Sequence, residues 1–324
     1  MMTTLFNSII PAAIAIATVF LFGCTGEIIM EKAGHLNLGI PGIMCMGTVG
    51  GCVGVRICVL MFGTHTINWF VLVLLTLIFS ALFSCIGALI YAFLTVSLKC
   101  NQNVTGLALT TFGAGFADYF MTAINKSNFA GASKVIRYSL PFASNLGVFG
   151  KIFLDHGVLV YIAIAIAIAT SLILSKTRIG LSLRAIGENP ATADAAGINI
   201  TKYKYLAIII GSIIAGFGGV FYVMDYVGGS WENSFTIQAF GWLAIALVIF
   251  TVWKPALAIA GSIVFGILYV VPYYTSGISF AQMKILNLLP YVVTVIVLII
   301  TSIVGRKNVQ PPQSLGMSYF REER

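Results

Sequence analysis

Chemistry needs ionisable or nucleophilic side chains at fixed spacing, and this chain of 324 residues offers few of them: 10 carboxylates, 3 histidines and 6 cysteines. The histidines (His35, His65, His156) sit far apart at the edges of apolar runs. No GxSxG elbow, HExxH pair, dinucleotide fingerprint or GxxxxGK[ST] loop occurs, so hydrolytic, zinc and nucleotide-hydrolysing chemistry have no residues to carry them. The cysteines (Cys24, Cys45, Cys52, Cys58, Cys85, Cys100) form no CxxC pair and have no histidine at ligand spacing, and read as small apolar filler. What remains are ionisable residues inside or beside apolar runs: Glu27, Glu31, Arg56, Asp118, Asp225 and Glu232. Such groups are costly at membrane depth and are candidates for function by default. Asp118 is the deepest by the span limits given below, and Asp225 falls near a span end. A chain of carboxylates through the core, which a proton-driven carrier needs, is missing.

The elements that must position these residues are membrane helices. The chain is 59% hydrophobic and 9% charged, with a mean hydropathy of +1.00, far from the roughly 25% charge of soluble domains. Lipid satisfies no backbone hydrogen bonds, and a helix needs about 20 apolar residues to cross, so long apolar runs mean helices. Candidate spans are Ile9 to Cys24, Gly39 to Phe62, Trp69 to Leu98, Val104 to Ala123, Val158 to Leu174, Tyr205 to Tyr226, Phe240 to Trp253, Ala256 to Tyr273 and Leu288 to Val304. The fold class is all-α, a polytopic bundle of about eight to ten transmembrane helices forming one membrane domain over residues 1–324. The net charge of +8 is spread over loop ends without a dense basic patch, which excludes nucleic-acid binding and suits membrane topology.

The connection 175–204 carries Lys176, Arg178, Arg184, Lys202 and Lys204, and the tail 305–324 carries Arg306, Lys307, Arg321 and Arg324, so the positive-inside rule places both in the cytoplasm. Four spans between them satisfy that parity. The other long connection, Ile124 to Gly157, then lies outside. Gly211, Ala215 and Gly219 share a helix face, and Gly47 with Gly51 and Gly50 with Gly54 repeat the spacing, which allows close packing inside a bundle. The glycines of Gly39 to Gly54 and Gly113 to Gly115, with Pro41 and Pro255, are expected to break helices and expose backbone to a polar solute.

Within 175–204, local signals agree on a short helix. Asn189 is an N-cap, Pro190 suits the first helical position, alanines follow, and Gly197 can close the helix. Pro190 to Ala196 would be about 10 Å long, a plug fit for a partner's cleft but too short to be stable alone.

Leu183-Arg184-Ala185-Ile186-Gly187-Glu188-Asn189-Pro190 followed by Ala193-Asp194-Ala195-Ala196-Gly197-Ile198 closely resembles the coupling loop of bacterial ABC importer permeases of the branched-chain amino acid, simple sugar and nucleoside family. Near the N-terminus, Gly26-Glu27, Glu31-Lys32 and Gly34-His35-Leu36-Asn37-Leu38-Gly39-Ile40-Pro41-Gly42-Ile43-Met44 resembles the signature of the nucleoside (basic membrane protein) branch. That branch usually has a Glu where this chain has Pro41, so no role of that carboxylate carries over. The resemblance implies an ATP-driven importer permease in the bacterial inner membrane, translocating nucleosides, with sugars or branched-chain amino acids as alternatives and an ion-coupled carrier as the rival class. It implies that Arg184, Gly187, Glu188, Asn189, Pro190, Asp194 and Gly197 engage an ATP-binding subunit. No cofactor is bound by this chain, ATP and Mg residing on that partner. A second homologous permease forming a heterodimer and an extracytoplasmic solute-binding protein or lipoprotein are the other implied partners. Asn37, Gly39, Thr110, Thr111, Asp118 and Tyr119 are the polar and small residues expected along the substrate passage.

Overall fold

The structure is a computed structural model that describes residues 8–63, 67–138, 146–275, 277–304 and 310–320. His65 and the tail cations Arg306, Lys307, Arg321 and Arg324 lie outside the described residues. The long helices are α1 (Ile10–Lys32), α2 (Ile40–Phe62), α3 (Trp69–Ala92, continued by a π-turn to Ser97) and α4 (Gln102–Ala123). Two short helices, α5 (Phe129–Ile136) and α6 (Gly147–Phe153), precede α7 (Val158–Lys176). Next come α8 (Arg178–Glu188), α9 (Pro190–Ala195) and α10 (Ile200–Phe221, continued by a π-turn to Tyr226). The chain ends with α11 (Phe235–Phe250), α12 (Pro255–Tyr274), α13 (Phe280–Leu286) and α14 (Leu289–Val304). Each apolar run expected from the sequence falls on one of these helices. Seven of the resulting segments are long and apolar enough to cross a membrane, among the described residues. The other two runs are α4, which has the length but is less apolar, and α11, which has 16 residues.

Helix boundaries follow local chemistry. Asn68 accepts from Phe70 N, Asn101 from Asn103 N and Val104 N, and Asn199 from Lys202 N, each satisfying a first-turn donor. Pro41 and Pro255 do not break helices: both sit in the first turn of theirs, where a missing N–H costs nothing. The first span also corrects the sequence limit, since α1 runs eight residues past Cys24 and carries Glu27 and Glu31 with it.

The glycine clusters leave α2 and α4 continuous and act through contact distance instead. A Cβ on Gly26 would lie 2.2 Å from Gly211 O, and one on Gly211 would lie 2.4 Å from Gly26 O, so α1 and α10 cross backbone to backbone. A Cβ on Gly113 would likewise meet Gly42 O at 2.3 Å, where α4 crosses α2. The small-residue faces are thus spent inside the bundle, as close helix approach in lipid requires. α1 lies at its centre, packed by α7, α10, α11 and α12, with most of its residues buried. In contrast, Phe70, Leu74, Ile78, Leu82 and Ile86 of α3 and Val292, Val295, Ile299 and Ile303 of α14 are exposed, as lipid-facing residues must be.

Candidate functional site

Two features stand at one end of the bundle: the helical pair α8–α9 and a polar knot around the α1–α2 turn. Thr177 caps α8 through Gly180 N at 3.1 Å. Asn189 ends α8 and its Oδ1 accepts from Thr192 N at 3.0 Å, which starts α9. The far end of α9 closes as expected, with Gly197 at φ +81°, its N–H donating to Asp194 O and Ile198 N to Ala193 O. Arg184, Glu188, Asn189 and Gly197 are exposed, and Pro190 and Asp194 half-buried. Gly187 is buried, because a Cβ there would meet Lys32 O of the α1–α2 turn at 2.3 Å. Of the sequence-predicted coupling residues, Arg184, Glu188, Asn189 and Gly197 are thus exposed on a helix pair that stands on the end of α1 through buried Gly187.

The tail secures this projection. Ser314 N and Oγ both donate to Gly187 O, at 2.9 and 2.6 Å, and Gly316 N donates to Gly34 O at 3.2 Å. Gln102 Nε2 donates to Met317 O, and Tyr319 OH donates to Asp194 Oδ2 at 3.0 Å. Residues 310–320 thus form a strap across α8–α9, the α1–α2 turn and the start of α4. This places the tail and the 178–198 loop on one face, which agrees with the parity of the spans between them.

The polar knot lies beneath. Glu27 and Glu31 are 0% and 2% exposed. Glu27 Oε1 accepts from Asn37 N at 3.0 Å, and Glu31 Oε2 accepts from the indole N–H of Trp253. Trp253 reaches it because Val252 and Trp253 adopt left-handed φ of 54° and 53°, a conformation costly for such side chains and held here by the fold. Asn37 Oδ1 accepts from Gly39 N at 2.9 Å, Thr110 Oγ1 donates to Leu38 O at 2.7 Å, and Tyr91 OH donates to Leu36 O at 2.8 Å. His35, 1% exposed, packs edge-on to Tyr91. Burial, then the nearby Lys204 charge, push its pKa well below the usual histidine value, so the ring is neutral at pH 7. Replacing Glu27 by Leu is expected to leave the buried Asn37 N–H without an acceptor and to cost about 1–3 kcal/mol of stability. Glu27→Gln keeps an acceptor and should stay near the parent, a contrast that thermal unfolding of the solubilised chain would measure.

Of the expected passage residues, Asn37, Gly39 and Thr110 are brought together in this knot. Thr111, Asp118 and Tyr119 are not: they lie on the exposed face of α4 with Val104, Leu107 and Phe112. Asp118 is not the deepest carboxylate. It is exposed toward the other end of α4 and accepts from Ser234 N and Oγ at 2.9 and 2.7 Å, satisfying the donors at the start of α11. Asp225, placed near a span end by the sequence, is 4% exposed and lies against Gly157. Arg56 is half-buried and Glu232 exposed. His156 at that same end is buried and held below its ordinary pKa chiefly by desolvation. Trp253, Gln102, Tyr91 and the strap residues Ser314 and Tyr319 had no sequence signal, since each acts through a contact distant in the chain. Among the described residues no cluster of His, Cys, Asp or Glu could hold a metal ion.

A capped helix pair standing on an apolar helical bundle does not by itself name an activity, and sequence comparison supplies the family. Residues 8–302 match the family described as branched-chain amino acid transport system / permease component. The chain belongs to that family. The nucleoside ABC transporter permease protein NupC of Lactococcus lactis subsp. cremoris is 31% identical over 95% of both chains. The guanosine ABC transporter permease protein NupQ of Bacillus subtilis is 28% identical, over 98% of this chain and 97% of its own. A chain of Haloferax volcanii whose provisional name is glucose ABC transporter permease protein TsgC13 is also 28% identical, over 97% of this chain and 98% of its own. This permease is thus a transport subunit of an ABC system and a multi-pass membrane protein.

Proposed function

We propose that this permease imports nucleosides, driven by ATP hydrolysis on a separate subunit whose groove receives α9. The observation that carries the reading is the exposed, doubly capped α8–α9 projection joined to the α1–α2 turn at Gly187, in a chain whose relatives over nearly full length include nucleoside and guanosine permeases. Exposed Glu188 and Asn189 make the contact, and closure of the ATP-binding subunit moves α8–α9 against Lys32 and Gly34 through Gly187. From there it reaches α1 and α2 through the Glu27–Asn37 bond. A ligand-loaded receptor and ATP each bias a two-state pore, and each shifts it only by its differential affinity for the states. The projection and the tail lie in the cytoplasm. The exposed apolar and polar face of α4 (Leu107, Thr111, Phe112, Asp118, Tyr119) faces the passage shared with a second permease chain, and a solute-binding protein delivers substrate outside.

Purification in mild detergent followed by mass spectrometry should recover a Walker-A protein and a second hydrophobic permease with this chain. The complex in liposomes should then accumulate labelled nucleoside only with ATP. Recovery of this chain alone, transporting without ATP, would establish a carrier instead. Uptake of glucose in preference to nucleosides would move the substrate to the sugar class that the Haloferax volcanii relative represents.

A further inference from the structure

We propose that the cleft between the ends of α7 and α12, on the same face as the α8–α9 projection, binds the headgroup of an anionic phospholipid. The cleft has a volume of about 480 Å³, and three cations line it from three separate elements. Lys32 is the last residue of α1, Arg184 lies in α8, and Lys254 precedes α12. Arg184 and Lys254 are both within electrostatic reach of Lys32. The carboxylates within reach of Lys32 are Glu188 and Glu31, and Glu31 already accepts the Trp253 indole N–H. Three cations against two carboxylates, one of which is already occupied by the indole, leave the cleft with an excess of positive charge that a further anion would offset.

Phosphate is the anion this donor set suits, because two ammonium groups act as point charges and a guanidinium can bind two phosphate oxygens at once. The walls decide its source. Leu257, which lines the cleft, and Val264, two turns further along the same face of α12, are exposed apolar residues running away from it, so acyl chains would lie along α12 while the headgroup meets the cations. Basic pockets between membrane helices hold anionic headgroups in this way. Lys254 directly follows Trp253, so a lipid bound here would steady the left-handed turn that carries the indole to Glu31.

The test uses the full chain solubilised in mild detergent with phosphatidylglycerol or phosphatidylcholine added, with bound lipid counted by native mass spectrometry. It needs no transport partner, so its outcome is independent of the importer reading. The parent is expected to retain phosphatidylglycerol over phosphatidylcholine. Removing two charges in the Lys32→Gln/Lys254→Gln variant should lower that retention roughly 30-fold, at about one charge's attraction per lysine. Lys254→Arg should keep it, and Lys202→Gln, a charge removed elsewhere on this face, should leave it unchanged. Equal retention in the parent and the double variant would overturn the proposal, as would equal losses in Lys202→Gln. Displacement of phosphatidylglycerol by excess inorganic phosphate would assign the cleft to a free anion and overturn the lipid assignment.

Discussion

Gly211→Leu is expected to prevent this permease from accumulating as a folded membrane protein. A Cβ alone at residue 211 would stand 2.4 Å from Gly26 O and 2.9 Å from the Met30 side chain, and its neighbour across the crossing is backbone that no rotamer change can move. Leucine adds further atoms in the same direction, so α1 and α10 must separate. α1 is the buried centre of the bundle, so the separation opens the core on several sides. Overpacking of a core typically costs 1–3 kcal/mol and more where backbone blocks relaxation, so the effect should exceed about 3 kcal/mol. Fluorescence-detected size-exclusion of the detergent extract would show an aggregated or absent peak. A monodisperse peak at the parent's position and melting temperature would mean that the crossing is looser than the described backbone distances.

The second large effect concerns transport rather than folding. Glu188→Ala removes an exposed carboxylate at the end of α8, and the side chain accepts no hydrogen bond that α8 or α9 needs, the cap of α9 being Asn189. Stability should stay within about 0.5 kcal/mol of the parent, as at ordinary surface sites. ATP-dependent uptake should nevertheless fall at least about tenfold, within the 5–150-fold span of typical coupling between two sites. Uptake in liposomes, normalised to chain inserted, checks this. Unchanged uptake would remove Glu188 from the contact with the ATP-binding subunit.

The parts of this fold legible in the sequence are those set by local signals. Apolar runs located the helices, and the Asn189-Pro190 start and Gly197 stop located α9 to within a residue, because each cap is satisfied within its own turn. The carboxylates were harder to place. Glu27 and Glu31 resemble the polar end of a span until Asn37 and Trp253 are seen to donate to them, and Trp253 is 222 residues from Glu31. Asp118 resembles a buried site because its run is apolar, yet it faces outward and caps α11. The glycine clusters show the same limit: their spacing indicated a special backbone, and only the facing helix reveals that proximity, not a break, is what they provide.

The strap has a consequence for biogenesis. Ser314 follows Gly187 by 127 residues, so at synthesis rates of about 5–20 residues per second the coupling projection exists for roughly 6 to 25 s before its fastening emerges. During that interval α9, six residues long, has its caps but neither the Ser314 nor the Tyr319 bond. The α8–α9 pair is therefore fastened only after the spans are made, and a chain halted short of residue 314 would keep the caps of α9 while lacking both strap bonds.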